Sequence, residues 1–374
     1  MESVKQILRQ YIKTVLQKTL LPLCYLWGKR RPVNEKLILF ADSNTFRIPE
    51  SMILMREELK KRGYTVEEHF CDFSSAGMTA SLKYMMKFMV RYAQAGAVFV
   101  CNYFVPCTAC KKRSETKVVQ LWHSCGALKK FGYDAPDDIS SHFRGSVTRN
   151  YDYYTVSSPY CVKVFESAFR LEKGKALPIG ISRTDELFSK DFAVKCKAEF
   201  YEKYPQYKGK RLLLYAPTFR GNAGNAYSCG EDAVLRLAER LGGEWALLIK
   251  MHPRVKSPLT NCDIPTNRLF PVIDMLISDY SSLIFEYSVF RKPMVLWAPD
   301  LDEYTKSRDF YLDIKTDIPC PLITEESGLY NAVINESRNF DGERYDSFIN
   351  KYMSACDGNS TCRTADLLKR KGAE

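Results

Sequence analysis

Two histidines stand at positions where an imidazole can take part in group transfer. His123 follows the apolar run 117–121 and precedes Gly126, which permits a tight turn or a close approach of the backbone to a ligand. An imidazole with a pKa of about 6.5 can take a proton from an attacking hydroxyl near neutral pH. We therefore predict that His123 is a general base. The alternative is a core histidine that is hydrogen-bonded at the end of a strand.

His252 and Arg254 flank a proline just after a second apolar run, 245–250. A diphosphate leaving group gains charge in the transition state of its transfer, and fixed hydrogen-bond donors there lower the barrier. The pair is therefore predicted to face a diphosphate, with His252 as a second catalytic residue. The alternative is a surface turn that contains proline.

A third cluster lies where a predicted strand passes into a predicted helix, and it holds Asp279, Ser281 and Ser282. Serine hydroxyls and the free backbone N–H groups of a helix N-terminus bind phosphate. Simple N-capping by one serine is the alternative. Glu286 falls one turn later. It is a candidate acceptor for a ribose hydroxyl or, alternatively, a solvated acid.

Two further pairs complete the candidate site residues. Thr218 and Arg220 follow another apolar run and offer a hydroxyl and a guanidinium suited to phosphate. Arg183 and Asp185 form either an ion pair between domains or a contact to the ligand. The residue types alone do not decide between these two roles.

Short apolar runs alternate with helical stretches along the chain, a pattern typical of parallel α/β layers. The predicted strands are 36–41, 97–101, 117–121, 153–157, 211–215, 245–250, 275–278 and 294–297. The predicted helices include 50–62, 79–94, 158–169, 232–241 and 282–290. In doubly wound domains, ligands bind at the carboxyl ends of the strands. The candidate clusters follow predicted strands, so we expect two Rossmann-like domains that face a cleft.

The length of 374 residues suits two domains of about 150–200 residues each. A polar, charged stretch at 190–210 separates the two series of strands and places the boundary near residue 190. The predicted ranges are a basic segment at 1–33, an acceptor-side domain at 34–190 and a nucleotide-binding domain at 191–374. The last helix is a candidate to pack back on the first of these two domains.

The formal net charge of +11 is concentrated at the start of the chain. Against one acid, Glu2, the first 31 residues hold the basic residues Lys5, Arg9, Lys13, Lys18, Lys29, Arg30 and Arg31. Apolar residues interleave with them at helical spacing, and such a helix can lie on an anionic membrane leaflet. We predict a peripheral protein on the cytoplasmic face of the cell membrane. The alternative is a helix packed on the main body with a solvated basic face.

The first segment is predicted neither to span a membrane nor to be a cleavable signal. Its longest stretch without charge, 19–28, has ten residues, whereas spanning needs about 20. No small-x-small cleavage site follows Trp27. The thirteen cysteines are scattered, and Cys107 with Cys110 forms a lone CxxC. We interpret it as a reduced loop, because a zinc site needs four ligands.

Several classes of protein are excluded by composition and motifs. Apolar content of 45% and charged content of 26% are ordinary for a globular protein, which excludes disordered and collagen-like chains. The chain has neither GxxxxGK[ST] nor GxGxxG after a strand, so neither an ATP P-loop nor a dinucleotide site is predicted. No nucleic-acid-binding module is present, and nucleic acid is not an expected partner.

Taken together, these motifs resemble the CDP-glycerol glycerophosphotransferase family, whose enzymes prime and polymerise teichoic acids. The matching strings occur in the family's order over about residues 36–325 and are 120–134, 180–185, 215–220, 251–254, 274–287 and 299–304. The chain departs from the family at Ser124 and Cys125, where relatives often have Gly-Thr, and at Glu286, where they have Asp. The difference at 124–125 puts the choice of acceptor in question.

The resemblance implies a glycosyltransferase-B fold in which the C-terminal domain holds CDP-glycerol. It implies that His123 is the base for the acceptor hydroxyl, and that His252, Arg220, Ser281 and Ser282 surround the diphosphate. Attack at the phosphorus nearer the polyol would release CMP without a metal or other cofactor. The expected partners are CDP-glycerol or CDP-ribitol, a lipid-linked glycan or polyol phosphate acceptor, and an anionic membrane surface.

Three rival functions remain open at this point. A CDP-ribitol transferase would share every one of these motifs, with glycerol phosphate favoured as the transferred group. A sugar-nucleotide glycosyltransferase of the same fold could bind its diphosphate at Ser281 and Ser282. A non-catalytic, membrane-bound scaffold is the third alternative, and the intact histidines speak against it.

Overall fold

Two parallel β-sheets with intervening helices form the frame of the protein. The computed structural model describes residues 4–136, 138–221 and 225–369. Glu2 of the predicted basic segment lies outside the described residues, as do the last five residues of the predicted C-terminal domain. By contacts the chain divides into unit 1, residues 1–124, 131–185 and 355–374, and unit 2, residues 125–130 and 186–354.

Unit 1 contains a six-stranded parallel sheet in the order β2-β1-β3-β4-β5-β6. Its strands are β1 Asn34–Asp42, β2 Thr65–Phe70, β3 Ala95–Val100, β4 Lys117–Gln120, β5 Tyr153–Thr155 and β6 Ala176–Leu177. The run 37–41 in β1 is buried at every residue, as expected for a parallel strand covered by helices on both faces.

The helices of unit 1 are α1 Val4–Lys18, α2 Leu20–Gly28, α3 Glu50–Lys61, α4 Met78–Tyr92, α5 Pro159–Phe169 and the last helix of the chain, Ser360–Asp366. On one face of the sheet, Ile38 and Phe40 pack with Met52 and Leu59 of α3, and Ala365 of the last helix joins this core. The carboxylate of Asp185 accepts hydrogen bonds from the backbone N–H groups of Ser360 (3.0 Å) and Thr361 (2.7 Å).

Unit 2 contains a five-stranded parallel sheet in the order β11-β10-β9-β7-β8. Its strands are β7 Arg211–Tyr215, β8 Trp245–Ile249, β9 Met275–Ser278, β10 Met294–Trp297 and β11 Leu322–Ile323. Its helices are α6 Lys190–Lys203, α7 Glu231–Leu241, α8 Thr266–Leu269, α9 Leu283–Ser288, α10 Leu301–Ser307, α11 Glu326–Arg338 and α12 Gly342–Tyr352. The last helix of the chain, Ser360–Asp366 in unit 1, is called α13. Leu213 and Ile277 of the sheet pack with Val234 of α7 and Val333 of α11.

The predicted fold class, two doubly wound α/β domains, is confirmed by these two sheets. Most of the polar stretch at 190–210 is not a connecting segment, because α6 occupies it with Ser189 as N-cap. Only Cys196 and Phe200 of α6 are buried. Because so few positions face the core, the sequence of α6 shows little of the apolar spacing that identifies a helix. The predicted domain ranges and the cleft stay predictions. The units differ from those ranges by giving residues 125–130 and 186–190 to unit 2. They place residues 355–374 in unit 1, the domain on which the last helix was a candidate to pack.

The first two helices pack on unit 1 by one side only. The amide of Gln17 donates to Thr108 Oγ1 (2.6 Å) and to the carbonyl of Ser146 (2.7 Å). Tyr25 of α2 is buried and its ring contacts Tyr92 of α4. None of the helices in the described part of the chain is long and apolar enough to cross a membrane.

Candidate functional site

His123 in unit 1 lies just beyond β4, and its ring is held by the neighbouring strand. Nδ1 lies 3.1 Å from the carbonyl oxygen of Cys101, which follows β3. A carbonyl oxygen only accepts hydrogen bonds, so Nδ1 must carry the proton. In the neutral ring Nε2 therefore keeps the lone pair, which is the form that a general base needs.

Trp122 fixes the chain just before this histidine. Its φ of +57° lies in the left-handed region, which is uncommon for a large side chain, and its N–H donates to Gln120 Oε1 (3.0 Å). The indole packs on the His123 ring at 4.4 Å between centroids and also contacts Phe165 and Phe169 of α5. The packed indole offsets the backbone strain, so the imidazole is oriented before any ligand binds.

Desolvation lowers the pKa of His123, and the guanidinium of Arg183 acts in the same direction. The hydrogen bond to Cys101 and the carboxylates of Asp42 and Asp138 oppose this effect. His123 is nevertheless exposed to solvent, and the neutral imidazole is its favoured form beside the Arg183 guanidinium. His123 is therefore neutral near pH 7 and able to accept a proton.

The two residues predicted as a pair at 183 and 185 have different surroundings. Arg183 Nη1 donates to the backbone carbonyl of His123 (3.0 Å), so Arg183 supports the loop that carries the imidazole. Asp185 instead caps α13 through Ser360 and Thr361. Gly126 belongs to unit 2 with φ of +64°, and a Cβ there would lie 2.4 Å from the ring of Phe285. A glycine is required because of this ring.

His252 in unit 2 follows β8 and has the opposite tautomer. Its Nδ1 accepts a hydrogen bond from the backbone N–H of Arg254 (3.2 Å), so the proton of the neutral ring lies on Nε2. The ring packs on Phe219 at 4.5 Å. Burial, together with the charges of Arg254 and Lys129, lowers the pKa of His252 to about 4. At neutral pH the residue is an uncharged donor, not a cation.

Arg220 is buried in an ion network of unit 2. Its guanidinium donates to both carboxylate oxygens of Asp300 (2.8 and 2.9 Å), to Asp279 Oδ2 (2.6 Å) and to the carbonyl of Thr218 (2.7 Å). Asp279 Oδ1 also accepts from the backbone N–H of Thr218 (2.8 Å). These internal contacts occupy most of the N–H groups of Arg220, which the sequence analysis assigned to phosphate. The main effect of the network is therefore to hold the surrounding loops in place.

Asp300 is the network residue to which sequence reasoning gave no role. It follows β10 and also accepts from the hydroxyl of Tyr280 (3.1 Å). Despite its burial, the Arg220 guanidinium holds the pKa of Asp300 below its usual range. Its place after a predicted strand is the signal that could have identified it, since the other clusters follow the same rule.

The serine cluster precedes the short helix α9. Ser281 Oγ accepts from the backbone N–H of Leu283 (3.3 Å), and no capping bond from the described residues reaches the side chain of Ser282. Glu286 is only 2% exposed, so the solvated-acid alternative for it is wrong. Within the described ranges, no group of three or more His, Cys, Asp and Glu side chains could hold a metal ion.

Residues 23–369 match the family described as CDP-Glycerol:Poly(glycerophosphate) glycerophosphotransferase. The chain belongs to this family. The predicted enzyme class, a CDP-polyol phosphotransferase of teichoic acid biosynthesis, is confirmed by this membership. The predicted roles of single residues are not tested by it and are taken up below as proposals.

Individual relatives show the same kinship. The chain is 34% identical over 312 residues to a teichoic acid ribitol-phosphate primase of Bacillus spizizenii, covering 78% of this chain and 79% of the relative. It is 28% identical to a teichoic acid glycerol-phosphate primase of Bacillus subtilis, covering 72% of each. A solved structure of the wall teichoic acid polymerase TagF shares the fold with a TM-score of 0.74 at 21% identity, over 98% of both chains.

Proposed function

We propose that this chain transfers a polyol phosphate from a CDP-polyol to a hydroxyl of a membrane-linked acceptor and releases CMP. The observation that carries the proposal is the geometry of His123. A neutral imidazole with its Nδ1 proton committed to Cys101 presents Nε2 as a base at the end of β4. Family membership supplies the class of donor.

In the proposed reaction, Nε2 of His123 takes the proton of the acceptor hydroxyl. The freed oxygen forms a bond to the phosphorus nearer the polyol, and the bond from that phosphorus to the bridging oxygen breaks. The electron pair leaves with CMP, and a phosphodiester remains on the acceptor. His252 Nε2–H donates to the diphosphate as negative charge develops there.

Thr218, Arg220 and Asp279 support the donor mainly by shaping the loops after β7 and β9, and the buried Glu286 is assigned as the acceptor for a ribose hydroxyl. The buried Arg220 network ties the first of these loops to Asp279 and the loop after β10. Ser281, Ser282 and Arg254 offer hydroxyls and a guanidinium to the phosphates. We assign them to donor binding on that ground.

Ribitol phosphate is the second candidate for the transferred group, and one observation favours it. The ribitol-phosphate primase is 34% identical to this chain, whereas the glycerol-phosphate primase is 28% identical. Both polyols end in a primary alcohol on the same diphosphate, so the chemistry at phosphorus is unchanged. The two donors differ in the length of the polyol chain and in the number of its hydroxyl groups.

We further propose that α1 and α2 place the protein on the anionic cytoplasmic leaflet of the cell membrane. Leu23 and Trp27 are 63% and 61% exposed, and the guanidinium of Arg30 lies 3.8 Å above the Trp27 ring. Leu8 and Val15 of α1 are exposed as well. Exposed apolar side chains beside basic groups suit the interface of an anionic bilayer.

The function is tested by mixing purified protein with a lipid-linked acceptor and either CDP-glycerol or CDP-ribitol. We expect CMP release from one donor and little from the other. CMP release from neither donor would contradict the transferase. UMP or UDP release from a UDP-sugar under the same conditions would favour the glycosyltransferase alternative.

A further inference from the structure

Lys129 lies six residues after His123 but belongs to unit 2. Its backbone forms an antiparallel bridge with Phe310. On either side of it, the carbonyl of Leu128 accepts from the N–H of Tyr311 (2.9 Å) and the N–H of Lys130 donates to the carbonyl of Asp309 (2.8 Å). The backbone of Lys129 is therefore fixed against the segment that follows α10.

Lys129 is half-buried, and its ammonium group has no hydrogen bond or ion pair with any residue in the described part of the chain. Its Nζ lies 5.9 Å from the centre of the Tyr304 ring. The adjacent Lys130, by contrast, forms an ion pair with Asp309. An unpaired cation in such surroundings costs free energy, which indicates that an anion completes the site.

Positive charge is in excess among the groups that act on Lys129 and His252, taken together with Asp300, which pairs with Arg220. The carboxylate of Asp279 attracts the ammonium of Lys129, while the guanidinium groups of Arg308 and Arg220 repel it. The positive charges of Lys129 and Arg254 both lower the pKa of His252. Asp279 and Asp300 together outweigh Arg220 by one negative charge. Lys129, Arg254 and Arg308 carry three positive charges against this one negative charge, and His252 is neutral. The net charge of these groups is therefore +2. The diphosphate of a nucleotide diester carries two negative charges.

We propose that Lys129 is a further phosphate-binding residue, which takes the diphosphate of the nucleotide donor together with His252 and Arg254. The proposal rests on the proposed function, because it assumes a nucleoside diphosphate donor. Burial lowers the pKa of Lys129 to about 8 and the carboxylate of Asp279 opposes that effect, as expected for a cation that lacks its partner. The segment 121–130 thus carries the proposed base, His123, in unit 1 and the proposed phosphate-binding cation, Lys129, in unit 2.

Binding measurements on the full chain test this role. CDP-glycerol, CDP-ribitol, CDP and cytidine are titrated by calorimetry into wild type, Lys129→Ala, Lys129→Gln, Lys129→Arg and the matched control Lys130→Ala. Lys129→Ala and Lys129→Gln should weaken CDP binding by at least about tenfold and leave cytidine binding unchanged, because only the diphosphate loses a charged partner. Lys129→Arg should retain most of the affinity, and Lys130→Ala should behave as wild type.

The outcomes separate this proposal from the function on which it rests. If the wild type binds neither CDP-polyol, the proposed function fails first. If wild type binds CDP and the two neutral variants bind it equally well, the role of Lys129 is wrong while the transferase stands. An equal loss for CDP and cytidine would assign Lys129 a structural role and also contradict the proposal. Lys129→Gln keeps most of the apolar stem, so it answers the question should Lys129→Ala fail to fold.

Discussion

His123 and His252 differ in which ring nitrogen keeps a lone pair. The carbonyl of Cys101 holds the proton of His123 on Nδ1, whereas the N–H of Arg254 holds that of His252 on Nε2. One ring can therefore accept a proton at Nε2, and the other can donate from the same atom. The sequence predicts both histidines as site residues, but only the backbone partners assign their tautomers.

His123→Ala is expected to lower turnover by at least about 100-fold, because the acceptor hydroxyl loses its base. Donor affinity should be unchanged, since the diphosphate is assigned to residues of unit 2. Turnover by CMP release and affinity by calorimetry are the two measurements. His142→Ala, which has no assigned role, is the matched control. Loss of CDP affinity in His123→Ala would remove His123 from the acceptor role.

The affinity for CDP should decline as the pH rises through about 8. Burial lowers the pKa of Lys129 to about 8. The charge of Asp279 opposes this effect, and the charges of Arg308 and Arg220 add to it. A bound diphosphate favours the charged lysine, so its contribution is full below that pH and is lost above it. Calorimetry between about pH 6.5 and 9.5 measures this decline, which Lys129→Arg should abolish. The same decline in Lys129→Arg would contradict the assignment.

At the scale of elements, the strand order of unit 2 explains how residues distant in sequence meet. β7 lies between β9 and β8, so the loop carrying Thr218 and Arg220 lies beside those carrying Asp279 and His252. β10 follows β9 in the sheet and brings Asp300 to the same network. The carboxyl ends of parallel strands share one edge, and this rule made the clusters predictable from sequence.

Asp300→Ala should destabilise unit 2 by roughly 3 kcal/mol, because it removes one partner of a buried guanidinium. Thermal and denaturant unfolding measure the change. Asp309→Ala removes an exposed partner of Lys130 and should leave the free energy of unfolding nearly unchanged. A loss for Asp300→Ala as small as that expected for Asp309→Ala would show that the contact between Asp300 and Arg220 adds no stability.

The first two helices make a prediction about membrane binding. Replacing Leu23 and Trp27 by serine should weaken binding to vesicles that contain phosphatidylglycerol, because it removes the most exposed apolar side chains of α2. Co-sedimentation measures the bound fraction. Val194→Ser on α6 removes a similarly exposed apolar side chain (67%) and is the control. Undiminished binding by the double variant would contradict the role of Leu23 and Trp27 in membrane binding.

Several elements could not be predicted from sequence, for identifiable reasons. β2 carries Glu67 and Glu68, and Glu67 pairs with Arg91 of α4, so its pattern is not apolar. β6 and β11 have two residues each, too few for any periodicity. The strands that were predicted, such as β1 and β7, are buried on both faces and have nearly continuous apolar runs.

At the scale of the whole molecule, the division of the chain into units depends on contacts between distant residues. Residues 125–130 join unit 2 through Asp309 and Tyr311, and α13 joins unit 1 through Asp185 and Arg62. The sequence offered the last helix as a candidate to pack on the first domain, but no local pattern indicates that residues 125–130 join unit 2. The two parallel sheets, by contrast, followed from short apolar runs that alternate with helical stretches, and the enzyme class followed from motifs that resemble one family.

The most direct test of the central claim is a mass balance on the acceptor. Purified protein is incubated with a lipid-linked acceptor and with whichever CDP-polyol proves to be its donor. The mass of the lipid product is then measured by mass spectrometry. We predict a gain of whole polyol phosphate units, one for each CMP released, and no gain with His123→Ala. CMP release without any gain of mass on the acceptor, or an equal gain with His123→Ala, would contradict the account.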